Sequence, residues 1–266
     1  MVKPRLILVL GDQLCPDIAA LKQADKARDI VVMAEVMAET TYVPHHPKKI
    51  ALVLTAMRKF AARLRDDGWT VAYTALEDTA NTGAIGLELL RRASEFGADT
   101  VLATVPGEWR LIDALNSLPL TVHQLSDDRF VTSPGEFAAW AKSRKELRME
   151  WFYRQVRRKT GLLMQDGAPV GGTWNYDSQN RKPAPKGARP PQPPTFPGDD
   201  VLEQVLDQVQ ARFPDNFGDL RPFNYATDRE QALKVLDHFI SHALPSFGDY
   251  QDAMVTNEPW LWQAVI

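Results

Sequence analysis

Several acidic side chains stand just after runs of apolar residues, where a carboxylate can meet a ligand. Asp12 follows the run 6–10 and Gly11; Glu35 and Glu39 follow 30–34; Glu108 follows 101–105 and Pro106-Gly107; Asp127 and Asp128 follow 120–123. Carboxylates accept hydrogen bonds from ring N–H groups and from ribityl- or ribose-like hydroxyls, and they repel phosphate. The set therefore suits a neutral heterocycle better than an anion. The structural alternative is that Asp12 caps the following turn and Glu35 pairs with an arginine. Adjacent Asp127 and Asp128 read as turn residues rather than as a catalytic dyad.

Other chemistries find no support in the residue order. No G-x-G-x-x-G follows the first apolar run and no G-x-x-x-x-G-K-[ST] occurs, so neither a dinucleotide fingerprint nor a P-loop is present. There is no G-x-S-x-G elbow, and Cys15, the single cysteine, has no neighbouring base. One cysteine also excludes an internal disulfide and a cluster ligated by this chain's cysteines alone. His45 and His46 sit between Tyr42-Val43-Pro44 and Pro47, with no Cys or Glu at metal-site spacing. They suit a loop packed over the ligand mouth, or a cap at a helix entry. A nucleotidyl-transferase site would need H-x-G-H, and these histidines are contiguous. No catalytic residue and no metal ligand is assigned.

Positioning the carboxylates takes a parallel α/β sheet. Apolar runs at 6–10, 30–34, 71–73, 101–105 and 120–123 read as strands, and helical patterns alternate with them through about residue 145. The clearest helix carries Ile50, Val53, Leu54, Met57, Phe60, Ala61 and Leu64 at spacings of three and four, with Pro47 in its first turn and Gly68 at its stop. A second covers about 85–96 and closes on Gly97. Five parallel strands in a doubly wound, Rossmann-like sheet bind ligands outside the strand carboxyl ends, where the strand order reverses. The acids named above fall there.

Beyond Asp127 the character changes. Ser133, Pro134 and Glu136 form a capping box that opens one long helix through Met149, Phe152, Tyr153 and Val156 to Leu163. A loop over 167–180 leads to a linker in which seven of the nineteen prolines lie between Pro183 and Pro197, a stiff extended tether. Further helices are expected over 200–212 and 228–243, and a last one from Pro259. The expected organisation is 1–145 as the α/β domain, 146–200 as a basic helix with a Pro-rich linker, and 201–266 as the start of an incomplete all-helical domain.

Net charge is −3, yet 142–189 holds twelve Lys/Arg against four Asp/Glu, an excess of +8 that leaves −11 on the rest. Such a split suits a polyanion or an acidic partner surface, or else plain solvated charge. Arg154, Arg157 and Arg158 share a helix with Trp151, Phe152 and Tyr153, a mixture that serves nucleic acid through phosphate contacts and stacking. The alternative packs Met149, Phe152 and Val156 inward and solvates the arginines. An apolar fraction of 44% suffices for a core, and no stretch approaches the ~20 apolar residues that span a bilayer. The start Met1-Val2-Lys3-Pro4-Arg5 lacks a signal peptide's cleavage site, so a reducing, cytoplasmic setting without a membrane partner is expected.

Ordered motifs run through the chain. They are Leu10-Gly11-Asp12-Gln13-Leu14, Glu35-Val36-Met37-Ala38-Glu39, Tyr42 with His45-His46, and Pro106-Gly107-Glu108-Trp109-Arg110. The helix from Met149 to Lys159 follows with Thr160-Gly161-Leu162-Leu163-Met164, then Gly172-Thr173-Trp174-Asn175-Tyr176-Asp177 and Asn180-Arg181. Phe213-Pro214-Asp215-Asn216-Phe217-Gly218 and Gln251-Asp252-Ala253-Met254 complete the series. This order resembles the bacterial photolyase-related family, the iron–sulfur photolyases and cryptochromes that act on (6-4) lesions, up to about Trp262.

The resemblance implies an N-terminal α/β antenna domain that binds 6,7-dimethyl-8-ribityllumazine, an interdomain linker, and a C-terminal helical domain with FAD and a four-cysteine 4Fe-4S cluster. By matching motif it implies Gly11, Asp12, Gln13, Glu35, Val36, Glu39 and Tyr42 as pigment contacts. Family members continue past Pro259-Trp260-Leu261-Trp262 into a His-Ser-x-Leu-Ser-like segment that grips the flavin phosphates. This chain reads Gln263-Ala264-Val265-Ile266 there, and the cluster cysteines are absent. The expectation is an antenna half with the opening helices of a catalytic half, truncated. The complete form would repair ultraviolet-damaged DNA by light-driven electron transfer from reduced flavin. This chain would supply the pigment domain, and would be inactive without the remaining helices in trans. The alternatives are a stand-alone chromophore-binding or photosensory module without catalysis, and an adenosine-nucleotide enzyme on a related α/β fold.

Overall fold

Five apolar segments pair side by side in one direction. In the computed structural model, which describes residues 2–258 and Trp262, they are β1 (Leu6–Leu8), β2 (Ile30–Ala34), β3 (Thr70–Thr74), β4 (Thr100–Thr104) and β5 (Thr121–Leu125). All pairings are parallel, in the order β3-β2-β1-β4-β5. Parallel neighbours need crossover connections. These hold α1 (Ala19–Lys22), α2 (Met37–Thr41), α3 (Pro47–Asp66), α4 (Ile85–Phe96) and α5 (Trp109–Asn116). The expected five-stranded, parallel, Rossmann-like class is what folds.

Helices on both faces explain the strand sequences. β1 and β2 are buried at every position, because side chains alternate between two covered faces. One face buries Ile7, Val31 and Met33 beneath Leu54, Phe60 and Leu64 of α3. The other buries Leu6, Val32 and Val101 beneath Leu89 of α4 and Leu115 of α5. The winding proceeds from β1 to β3 on one side and resumes at β4 on the other. The switch point therefore lies beside β1.

The remaining elements are α6 (Pro134–Ala141), α7 (Met149–Thr160), a hairpin of β6 (Met164–Gln165) and β7 (Ala168–Pro169), α8 (Asp200–Arg212), α9 (Arg229–His238), a π-turn over Phe239–Ala243, and α10 (Leu244–Tyr250). The chain forms two units. The first combines Met1–Arg129 with Phe196–Asp228; the second combines Phe130–Thr195 with the stretch from Arg229 onward. These boundaries lie elsewhere than residues 145 and 200. Leu202, Val205, Leu206 and Val209 of α8 join the core of α3 and the sheet. Lys59 Nζ ties both ends of the inserted segment, meeting Asp199 Oδ2 at 2.5 Å, Thr227 Oγ1 at 2.6 Å and Asp228 Oδ2 at 3.4 Å.

In the second unit the capping box forms as expected, Ser133 Oγ accepting from Glu136 N at 3.2 Å and Glu136 Oε2 from Ser133 N at 2.9 Å. The expected single long helix is instead two. Phe137 and Trp140 of α6 pack on Phe152 of α7 with ring centroids 5.2 and 5.1 Å apart. In one continuous helix Phe137 and Phe152 would lie about 22 Å apart, so the chain turns over 142–148 to join them. The helix expected from Pro259 falls outside the described residues. No described helix is long and apolar enough to cross a membrane.

Candidate functional site

Beyond the carboxyl ends of β1, β2 and β4, at the switch point, lies a cavity of about 230 Å³. Leu10, Val36, Val53, Leu54, Met57 and Leu111 give it apolar walls. Gly11 shapes one wall: a Cβ there would fall 2.8 Å from Val53 Cγ1 and 3.2 Å from Met57 Sδ, so only glycine lets the chain pass this close to α3. Asp12, Glu35, Glu39, Tyr42, His45, Lys49 and Glu108 supply the polar lining. Of the residues named from sequence, Gly11, Asp12, Glu35, Val36, Glu39 and Tyr42 thus come together on one cavity.

Gln13 does not line it. The Gln13 side chain is buried, with Nε2 donating to the carbonyls of Thr104 (3.1 Å) and Val105 (3.3 Å). Its Oε1 has no hydrogen-bond partner among the described residues. Gln13 thus laces the end of β1 to the end of β4.

The carboxylates differ in what they have left to offer. Glu35 is fully buried and bonded into the core. Arg58 Nε and Nη2 donate to its two oxygens at 2.6 and 2.9 Å, the Tyr73 hydroxyl at 2.5 Å and Leu76 N at 2.8 Å. Burial, then the neighbouring Glu35 charge, pushes the Tyr73 hydroxyl far up, so it stays a donor. The arginine-paired alternative read from the sequence therefore holds for Glu35. Glu39 receives Arg110 Nη1 and Nη2 at 2.7 and 2.6 Å, and Glu108 receives Arg110 Nε at 2.6 Å. The same guanidinium lies 4.1 Å over the Tyr42 ring, whose hydroxyl donates to Glu108 Oε1 at 3.3 Å. Hydrogen bonds to Glu39 foremost, opposed by desolvation and aided by Glu108, raise Arg110 further above its ordinary range.

Asp12 is the exception. It is exposed at the cavity, and its carboxylate has no hydrogen-bond partner among the described residues. Its backbone carbonyl, not its side chain, is bonded, accepting from Arg129 Nη1 at 2.9 Å. Asp127 and Asp128 are engaged as turn residues, with Arg129 Nη2 at 2.6 Å and Lys22 Nζ at 2.7 Å.

Both roles considered for the paired histidines occur, one each. His46 is the N-cap of α3, its Nδ1 accepting from Lys48 N at 3.1 Å. His45 is buried against the cavity, edge-on to Tyr42 at 4.9 Å, with Lys49 Nζ 3.4 Å from its Nδ1. Burial, then the Lys49 charge, lowers the imidazole below its ordinary value, so His45 is neutral and accepts from Lys49. Asn216 Nδ2 holds the His45 carbonyl at 2.8 Å. Lys49 and Arg110 were not assigned from sequence. Lys49 could have been found as the residue one turn after His45 on the cavity side of α3.

In the second unit, the α7 arginines divide. Arg157 is buried, its Nε donating to the Leu162 carbonyl at 3.3 Å and its Nη2 to that of Leu163, so it closes the end of α7. Buried Arg157 is thus neither the solvated residue of the packing alternative nor, unlike half-buried Arg154 and exposed Arg158, a side chain open to the phosphate contact expected of all three. Arg154 pairs with Glu150, while exposed Arg158 leans on Trp174 at 4.7 Å. Phe152 is buried as the packing alternative required, but Met149 is exposed. No group of three metal-ligating side chains occurs among the described residues.

Comparison with known proteins agrees with this architecture. The family model described as "Deoxyribodipyrimidine photo-lyase-related protein" matches residues 7–225. A protein of Agrobacterium fabrum named "(6-4) photolyase" is 46% identical over 259 residues, 96% of this chain and 51% of that protein. The chain spans about half the length of this relative. With most of its length matched, from the first strand to beyond α8, the chain belongs to the deoxyribodipyrimidine photo-lyase-related protein family.

Proposed function

We propose that this chain is the antenna half of a photolyase-related protein and that its cavity binds a neutral heterocycle with a hydroxylated side chain, such as 6,7-dimethyl-8-ribityllumazine. One observation carries this: an apolar cavity at the switch point whose rim holds a carboxylate, Asp12, without a hydrogen-bond partner among the described residues. Asp12 accepts from side-chain hydroxyls, and Lys49 donates to a ring carbonyl. Val53, Leu54 and Met57 pack the ring face. The bound pigment supplies absorption of near-ultraviolet or blue light.

In the complete protein a bound FAD would supply the light-driven electron transfer that repairs ultraviolet-damaged DNA, with the pigment domain as its antenna. The name of the 46% identical relative supports that reading. A four-cysteine 4Fe-4S cluster does not fit this chain, because Cys15 is its only cysteine. Flavin and cluster belong to sequence equivalent to the other half of that relative. A cytoplasmic setting beside DNA fits, with Arg158 and then Arg154 as the phosphate-contact candidates. The test is thermal denaturation with 6,7-dimethyl-8-ribityllumazine or with ATP. Stabilisation by the lumazine alone is expected; stabilisation by ATP alone would overturn the reading in favour of a nucleotide enzyme.

A further inference from the structure

The walls of the cavity that follow β2 and β4 face each other across the end of β1, and one guanidinium joins them. Glu39 and Tyr42 belong to the first wall and Glu108 to the second; all three line the cavity. Arg110 binds both oxygens of Glu39, one oxygen of Glu108 and the face of Tyr42. Deep in the cavity Met57 is 4% exposed and Leu54 3%, while Asp12 and Gly107 at its rim are exposed. The bridge itself reaches solvent, with Arg110 and Glu39 side chains 35% and 28% exposed. The wall it holds is also fixed locally by Ala38 N, which donates to the Gly83 carbonyl at 3.0 Å. α2 has five residues and no side-chain cap at its start.

We propose that Arg110 gates this cavity: a ligand enters and leaves when the Arg110 bridge to Glu39 and Glu108 opens and α2 swings from the β4 side. The role is positional, since Arg110 does not line the cavity. A pair that is partly exposed can open often enough to permit exchange, and salt screens it. Local openings of this kind set the rates of entry and release in sites closed by small mobile elements. The gate rests on the reading of the cavity as a ligand site, and it adds that exchange, more than affinity, is what Arg110 controls. Opening speeds both directions.

The test uses the whole chain with two readouts. The first is the rate at which tert-butyl hydroperoxide oxidises Met57 in the free protein. The peroxide transfers one oxygen to the thioether sulfur and leaves as the alcohol. Met33, fully buried and away from the lining, reports any global loosening. The second is stopped-flow fluorescence of 6,7-dimethyl-8-ribityllumazine. In Arg110→Gln, Met57 oxidation and lumazine release should each rise about five-fold or more, with Met33 unchanged. Arg110→Lys should recover part of the difference, and added salt should speed exchange in the native chain only.

Unchanged Met57 oxidation in Arg110→Gln, or Met57 and Met33 rising together, would overturn the gate. Lumazine that fails to bind the native chain, while Met57 still responds to Arg110→Gln, would sink the pigment reading and leave the gate standing.

Discussion

Glu35 and Arg58 meet as a bidentate pair at the wall of the cavity, Nε to Oε1 at 2.6 Å and Nη2 to Oε2 at 2.9 Å. The Glu35 side chain is wholly enclosed, so the charge is tolerable only because Arg58, Tyr73 and Leu76 N occupy both oxygens. Arg58 also donates to Gln208 Oε1 at 2.7 Å, which carries the bond from β2 through α3 to α8. Removing one partner of such a pair leaves an uncompensated buried charge. Arg58→Met should therefore cost about 3–5 kcal/mol in urea denaturation, and Glu35→Gln with Arg58→Met should cost less than Arg58→Met alone. Equal losses would show that the pair is not coupled.

Gly11 tests the shape of the cavity. Alanine at this position meets Val53 Cγ1 at 2.8 Å and Met57 Sδ at 3.2 Å. Gly11→Ala should cost about 1–3 kcal/mol in thermal or urea denaturation through overpacking against α3. Unchanged stability would mean that α3 is free to withdraw.

His45 gives a pH dependence whose sign follows from its burial. The folded state holds the imidazole below its ordinary 6.5, by desolvation first, then by Lys49 and Arg110, with Glu108 opposing. The unfolded chain then binds more protons below that value. The stability contribution is fully present above pH 6.5 and is lost as the pH falls toward the lowered folded value. From about pH 7.5 to about pH 5.5, the urea midpoint should fall more in the native chain than in His45→Gln. Parallel slopes would refute this.

The two neighbouring arginines of α7 should separate by experiment. Arg158→Ala should leave the fold intact and reduce the salt slope of DNA binding by about one phosphate contact. Arg157→Ala should loosen the end of α7, because it strips the Leu162 carbonyl of its donor and leaves the Leu163 carbonyl with Val170 N alone. Unequal effects on circular dichroism, with Arg157 the larger, are the expected result.

What the sequence made legible was whatever depends on near neighbours. β1 and β2 stand out because strands covered on both faces are unbroken apolar runs. α3 stands out because twenty residues repeat one stripe. α2, with five residues, is too short to show a period. α5 was hidden inside a motif read for Glu108. α8 looked like any amphipathic helix, and nothing local reveals that its stripe covers α3 rather than a following domain.

The site was legible as a cluster of strand ends and less so in its chemistry. Which acid is neutralised depends on distant partners: Arg58 lies 23 residues from Glu35, Tyr73 lies 38, and Arg110 lies 71 from Glu39. The set of acids read from the strand ends is therefore one available carboxylate, Asp12, beside one lysine.

The account stands on the cavity between β1, β2, β4 and α3 as the place where an uncharged ring is held. Val53 lines it from α3 and is only half-buried, so Val53→Trp fills it. A fluorescence titration with 6,7-dimethyl-8-ribityllumazine measures the consequence directly. The native chain should bind one equivalent saturably, and Val53→Trp, folded by circular dichroism, should bind none. Equal binding by both proteins would contradict the account.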